Sequence, residues 1–458
     1  MLKTNSYDEA VWESTPVIQK PVYTIDERPG TWWESLLYGW QHTLVDISPF
    51  VLPLAVAAAI GMSAAEKAQF INYCLFAMGL ATLLQTTFGN RLPIIQGPSA
   101  TLTGTLAPIG SQLGAPAIWG GVFIGGLIEM LVGASRVLKY LRRFFPVVVS
   151  GVVVISIGMA LGQLAVRLTF GDGSAVNFLF AGLVILLIFV LQLKFQKVLH
   201  GLLSRAAIFI SIWVIGLGVA GVFGRVNWSL VAEKPWFALP KWFPYGGPGF
   251  GWEFSLAAIL AILAGYFGSM VESLGDYAAT CAVAGETYKV RHMNRGIFAE
   301  GLGSVVAAIF GGLPCTSYTQ NIGIIATTRV ASRFVVQIAA VILMLYGLCP
   351  KFGALLVAMP RSVLGGVFII VCGMIVISGI KLVNAAKSTS ANQFIVGMTL
   401  VCAIGIPINT KYVLGEAWLA ALPAFLKLLL TNTVVLAVLL AVFLNSILNI
   451  ILKGESEE

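Results

Sequence analysis

Fourteen apolar windows follow one another along the chain, near residues 41–61, 67–88, 92–110, 115–134, 145–164, 175–193, 205–224, 254–281, 297–312, 314–328, 333–350, 359–380, 393–410 and 428–452. About 20 apolar residues cross the hydrocarbon core as a helix, so most windows predict a transmembrane helix. Two are atypical. The third and the tenth hold Pro, Gly, Ser and Thr in place of a Leu/Val-rich run. In the tenth, Gly311-Gly312-Leu313-Pro314 disfavours one continuous helix, and the following 320–329 stretch opens with the amide pair Gln320-Asn321 and closes with Arg329. Polar side chains are expensive at membrane depth and normally face a cavity or pathway. A broken helix also frees backbone N–H and C=O groups, which is one way to build a small-molecule site there.

Composition supports the membrane reading independently. The 458 residues are 58% hydrophobic and 10% charged, where a globular domain carries about 25% charged residues. Little room remains for a large soluble domain. The polar start, up to about Trp33, lacks the charged-then-apolar pattern of a cleaved signal peptide, so none is expected. The net charge of +8 does not read as nucleic-acid binding, because the basic residues sit in short clusters between apolar spans. Those clusters set topology. With an even number of spans, one side collects 19 of the 28 Lys and Arg residues, among them Arg136, Lys139, Arg142, Arg143, Lys289, Arg291, Arg295, Arg329, Lys381 and Lys387. Both termini are therefore expected on the cytoplasmic side of a plasma membrane. The six cysteines are scattered singly and read as packing residues, and no metal or cofactor pattern appears.

The longest connection, about 226–252, contains Trp228, Trp236, Trp242 and Trp252 and reads as an extracytoplasmic loop anchored by aromatics at the interface. It separates two halves of seven windows. In the fifth window, 151–159 (GVVVISIGM) resembles 366–374 (GVFIIVCGM) in the twelfth, and the two atypical windows also correspond by position. The reading is an all-α polytopic membrane protein of 14 segments in a 7+7 duplication. An odd number of spans per unit makes the second copy inverted, and paired interrupted segments point to a transporter's site. The expected division is a tail at 1–35, a first repeat at 36–225, a loop at 226–253, a second repeat at 254–452 and a tail at 453–458.

Several polar residues could carry chemistry. Glu272 and Asp276, four apart in the eighth window, share one helix face. Two carboxylates in one low-dielectric site repel, which favours proton uptake and suits a proton-coupled site. A pair buried against Arg or Lys of a neighbouring helix is the structural alternative. In the third window, 96–101 (QGPSAT) again breaks the apolar pattern, and free N–H groups at a half-helix start could donate to a substrate carbonyl or anion. A kinked packing helix is the alternative there. His42, in the Gln41-His42 pair, could touch ligand or bond a neighbouring helix. Glu300 could tune protonation or bridge helices, whereas Asp46 and Glu129 read as structural.

At this point the residues resemble a known family. Gln320-Asn321-x-Gly323-x4-Thr328-Arg329 is similar to the signature of the nucleobase–ascorbate transporters, the nucleobase:cation symporters. The 272–277 run (ESLGDY), the 295–301 run (RGIFAEG) and Gln41-His42 resemble that family's eighth-, ninth- and first-helix motifs. The similarity extends in organisation over about residues 35–450. It implies 14 spans in two inverted repeats, with a core of segments 1–4 and 8–11 and a gate of segments 5–7 and 12–14. Short antiparallel strands would meet in segments 3 and 10. It also implies a homodimer through the gate domains and elevator-like movement of core against gate. Carried over by position, Glu272 would bind base N–H groups and Gln320 would pair with the base's edge. Ser99, Ala100, Thr319 and Asn321 would complete the pocket. Asp276, Glu300 and His42 would handle or support proton coupling, and Thr328 and Arg329 would act in gating or specificity. The coupling ion would be a proton, with sodium the alternative.

Uracil-type members tend to have His where this chain has Asp276 and Glu where it has Gln320, so Gln320 resembles the purine branch. An amide offers both donor and acceptor, which matches an oxopurine's mixed edge. Two departures keep uracil, ascorbate or another small anion open. Ala100 stands where many members carry an aromatic residue, and Thr328-Arg329 occurs in eukaryotic-like members, ascorbate carriers included. Leu274-Gly275-Asp276 also resembles part of an intramembrane aspartyl protease motif. However, Ser273 replaces its first glycine, and no partner Tyr-Asp pair appears in another window. The expectation is a carrier, not an enzyme, importing xanthine or urate by proton symport.

Overall fold

The computed structural model describes residues 20–46, 48–135, 137–138, 144, 146–170, 173–195, 202–246 and 251–452. The first part of the expected N-terminal tail, the 453–458 tail, and Arg136, Lys139, Arg142, Arg143 and Lys197 lie outside the described residues.

Seven segments precede the long connection. They are α1 (Trp32–Val45) with α2 (Ser48–Ala59), α3 (Ala64–Thr87), β1 (Gln96–Pro98) with α4 (Ala100–Leu113), α5 (Ala115–Ser135), α6 (Val147–Phe170), α7 (Ala175–Lys194) and α8 (Ala207–Val222, with a π-helical turn at Val214–Val219). Seven follow it: α9 (Leu256–Ala284), α10 (Val290–Ile309), β2 (Cys315–Ser317) with α11 (Thr319–Thr328), α12 (Arg333–Gly347) with α13 (Pro350–Ala358), α14 (Arg361–Ala385), α15 (Ser390–Leu414) and α16 (Thr433–Asn445). Among the described residues, nine helices are long and apolar enough to cross a membrane, or ten if α12 and α13, bent by 73°, form one span. The remaining four segments are the two strand–helix pairs, α8 and α10. This is the 7+7 organisation.

The apolar pattern set two helix starts too late. The first window opens near 41, whereas α1 begins at Trp32. The ninth window opens near 297, whereas α10 begins at Val290. Its first turns carry His292 and Asn294, which are polar yet buried inside the protein, so a hydropathy window misses them. The aromatic loop also divides. Trp228, Trp236 and Trp242 are exposed, but Trp252 is buried against Phe123 and Phe243, so it packs the protein instead of anchoring an interface.

The helices associate in two groups. α10 packs against α5 and α3, and α12 packs against α3 and α1. Separately, α14 runs along α6, and α16 packs on α15 and α6.

The feature that positions the site is a two-stranded antiparallel sheet, β1 with β2, in the register Gln96↔Ser317, Gly97↔Thr316, Pro98↔Cys315. Its ladder continues through Ser99 N–H to Pro314 O at 2.9 Å and Tyr318 N–H to Ile95 O at 3.0 Å. So small a sheet leaves both outer edges unpaired, and an unsatisfied backbone group away from water costs several kcal/mol. Neighbouring helices supply the missing partners. Thr82 on α3 both donates to Gln96 O (3.0 Å) and accepts from Gln96 N–H (2.9 Å). Ser304 on α10 accepts from Cys315 N–H, and Ser273 on α9 accepts from Ser317 N–H. Gly311, at φ +70°, makes the turn into β2 that an L side chain would strain. Each strand runs straight into a helix, α4 or α11, so two helix N-termini open from the same sheet.

Candidate substrate site at the crossed half-helices

A cavity of about 780 Å³ lies beside α9, within the usual range for small-molecule sites. Glu272, Gly275, Asp276 and Ala279 line one wall, a spacing that puts them on one helix face. Val147 and Ser150 of α6, Ser378 and Lys381 of α14, and Phe267, Tyr288 and Thr319 also line it. Both carboxylates predicted from the eighth window therefore share one cavity.

Each of these carboxylates takes a hydroxyl from the first turn of a different half-helix. Thr101, second residue of α4, donates to Glu272 Oε2 at 3.2 Å. Thr319, first residue of α11, donates to Asp276 Oδ1 at 2.8 Å, and Ser317 of β2 donates to Asp276 Oδ2 at 2.9 Å. Helix N-termini carry partial positive charge and free N–H groups, so the carboxylates and any ligand among them sit in a favourable field.

Behind this wall Glu300 is fully buried, and Ser273 and Tyr277 each donate to it at 2.8 Å. Ser269 is a longer third donor at 3.4 Å. Tyr277 in turn accepts from Gln85 Nε2 at 3.0 Å. Because Ser317 Oγ also lies 2.9 Å from Ser273 Oγ, a chain of hydroxyl contacts links Asp276 to Glu300. Leaving a buried carboxylate's lone pairs unused is costly, and this network uses those of Glu300.

The other predicted residues are not all at the cavity. Gln320 follows Thr319 and is exposed, but it does not line the cavity. Asn321 is buried and turned toward α1, where its Nδ2 donates to His42 O at 3.1 Å and lies 3.2 Å from His42 Nδ1. His42 is thus a tie between α1 and α11. Ser99 caps α4 by accepting from Leu102 N–H at 3.2 Å, and Ala100 is the half-buried first residue of that helix. Thr328 returns its hydroxyl to Ile324 O within α11. Arg329 ends α11 in a left-handed conformation (φ 61°) and grips Lys20 O through Nε and Nη2, at 3.0 and 2.8 Å. Sequence reasoning missed Thr101, Ser317, Ser273, Tyr277, Gln85 and Lys381. One signal was available, since Ser269, Ser273 and Tyr277 recur every four residues as a polar stripe through an apolar helix.

A paired break in two inverted seven-segment halves, with acidic side chains meeting both half-helix starts, defines a substrate carrier of the inverted-repeat class. The solved structures it resembles agree on the fold. The transmembrane domain of a cyanobacterium bicarbonate transporter, BicA, matches with TM-score 0.61 at 15% identity, over 92% of this chain and 99% of that one. The structure of SLC26A9 matches with TM-score 0.62 at 13% identity, over 89% of this chain and 65% of that one. Sequence then gives the family. The profile described as Permease family (Xan_ur_permease) matches residues 33–412, and the chain belongs to that family. Among its relatives, the uric acid permease PucK of Bacillus subtilis is 34% identical, over 81% of this chain and 86% of its own length. The xanthine permease XanQ of Escherichia coli K12 is 30% identical, over 93% of each.

Proposed function

We propose that this multi-pass membrane protein imports an oxopurine, xanthine or urate, by proton symport. The observation that carries the reading is the double engagement of α9, in which Glu272 meets the first turn of α4 and Asp276 that of α11 at the wall of one cavity. The names of PucK and XanQ support a purine cargo. In this reading Glu272 accepts base N–H groups. Asp276, linked to Glu300 through Ser317 and Ser273, takes and passes the coupling proton. Backbone N–H groups at the starts of α4 and α11, near Ala100 and Asn321, meet base carbonyls, and Gln320 turns in to pair with the base's edge.

The two packing groups become a core, α1 to α5 with α9 to α13, and a gate, α6 to α8 with α14 to α16. The cavity lies between them, so a sliding core would carry the site across in an elevator-type movement. Tyr288, Met293 and Lys381 line it near the Lys/Arg-rich ends of the segments, which supports a cytoplasm-facing site in this reading. The same charge bias places both termini in the cytoplasm of a plasma-membrane protein, and the gate faces offer the surface for a homodimer. Ala100, which leaves no ring to stack on a base, favours a second reading, a carrier for uracil or ascorbate in the same fold. Uptake of labelled xanthine in competition with unlabelled urate, hypoxanthine, uracil and ascorbate, with and without a pH gradient, separates the two. Gradient-driven accumulation blocked best by urate supports the proposal, and preferential block by uracil or ascorbate overturns it.

A further inference from the structure

Lys381 shares the cavity with the two carboxylates and has no role in ligand recognition in the account so far. It lines, from α14, the same cavity that Glu272 and Asp276 line from α9. Ser378, three residues earlier, lines it too, so one face of α14 presents a hydroxyl and an ammonium one turn apart. Lys381 is exposed, and no ion pair or hydrogen bond among the described residues engages its side chain. Among the described residues, the charged or titratable side chains lining the cavity are Glu272, Asp276, Tyr288 and Lys381, and Lys381 is the one cation of these.

An anion entering a space that holds two carboxylates is repelled unless they take up protons or a cation answers it. An ammonium offers a positive charge and three donors, which answer the negative charge and acceptor atoms of a deprotonated oxopurine. We propose that Lys381 is a specificity-determining residue that selects the monoanionic form of the base. The preferred cargo is then a purine that is anionic at neutral pH, held between the acid-bearing face of α9 and the ammonium of α14. This rests on the oxopurine-carrier reading. Because α9 and α14 belong to different packing groups, the ligand's charge also draws the two groups together.

The test compares ligands of different charge on wild type, Lys381→Gln and Lys381→Arg. Purified protein binds a labelled oxopurine in competition with urate, an anion at neutral pH, and with uncharged hypoxanthine, guanine and uracil. Lys381→Gln is expected to weaken urate about tenfold, the loss of one charged contact, while uncharged bases shift less than about twofold. Lys381→Arg keeps the preference for urate. A lysine that serves only topology or lipid contact predicts no such split. Equal loss for charged and uncharged bases, or no loss, overturns the inference. Should Lys381→Gln fail to fold, the wild type alone decides, and an uncharged base bound in preference to urate overturns the inference while the carrier reading stands. A wild type that binds none of these bases sinks the carrier reading itself.

Discussion

Thr319 donates its hydroxyl to Asp276 Oδ1 over 2.8 Å, tying the first residue of a half-helix to a carboxylate on the neighbouring long helix. The contact fixes where α11 begins relative to the cavity wall. A hydrogen bond to a charged group contributes about 1.5–3 kcal/mol. Thr319→Val keeps shape and removes only the donor, so transport affinity should fall roughly tenfold to a hundredfold. Thr101→Val, which removes the longer 3.2 Å bond to Glu272, should cost less. Uptake KM in the two variants checks the order, and a larger defect in Thr101→Val would contradict it.

Asp276 accepts from both Thr319 and Ser317, and through Ser273 it connects to Glu300. If this chain carries the coupling proton, Asp276→Asn should abolish accumulation driven by a pH gradient while substrate exchange across the membrane persists. Proteoliposomes with and without an imposed gradient measure both. Full accumulation by the variant would remove Asp276 from coupling.

Tyr277 is buried, donates to Glu300 and accepts from Gln85. Removing its hydroxyl leaves two buried groups short of a partner, at about 1–3 kcal/mol. Tyr277→Phe should therefore lower the apparent melting temperature of the purified protein while leaving substrate affinity within about threefold of wild type, a cost of under 1 kcal/mol. An unchanged melting temperature would show that the Gln85–Tyr277–Glu300 chain contributes little to stability.

The sheet has its own test. Tyr318 crosses Gly97 to donate to Pro98 O at 3.1 Å, and a Cβ on residue 97 would sit 2.6 Å from the tyrosine ring. Gly97→Ala should cost about 1–3 kcal/mol through forced displacement at the crossing of the two half-helices. Yield of monodisperse protein after solubilisation is the readout, with normal yield the contrary result.

How much of this was legible in the chain follows from which signals are local. The order of windows and the two interrupted segments depend on runs of residue types, so the strands at 96–98 and 315–317 fall inside the atypical windows. Glu272 and Asp276 share a face because helical spacing alone places them there. Side-chain direction was not legible. Asn321 sits within the signature beside the cavity yet spends its amide on His42, a contact 279 residues distant in sequence. The resemblance gave Arg329 a part in gating or specificity, and its side-chain direction, toward Lys20 O from the left-handed end of α11, was not legible. Ser273 and Gln85 acquire their roles only once α10 and α3 pack beside α9. A hydropathy window also cannot distinguish a polar residue facing protein from one facing water, which is why the start of α10 was missed.

Glu272 is the residue on which the central claim turns, since it lies on the cavity wall with one carboxylate oxygen already held by Thr101. Glu272→Gln preserves size and removes the charged acceptor that base N–H groups would use. The most direct measurement is equilibrium binding of labelled xanthine and urate to purified wild type and Glu272→Gln. The account predicts saturable binding to the wild type and none detectable to the variant, and unchanged affinity in Glu272→Gln would contradict it.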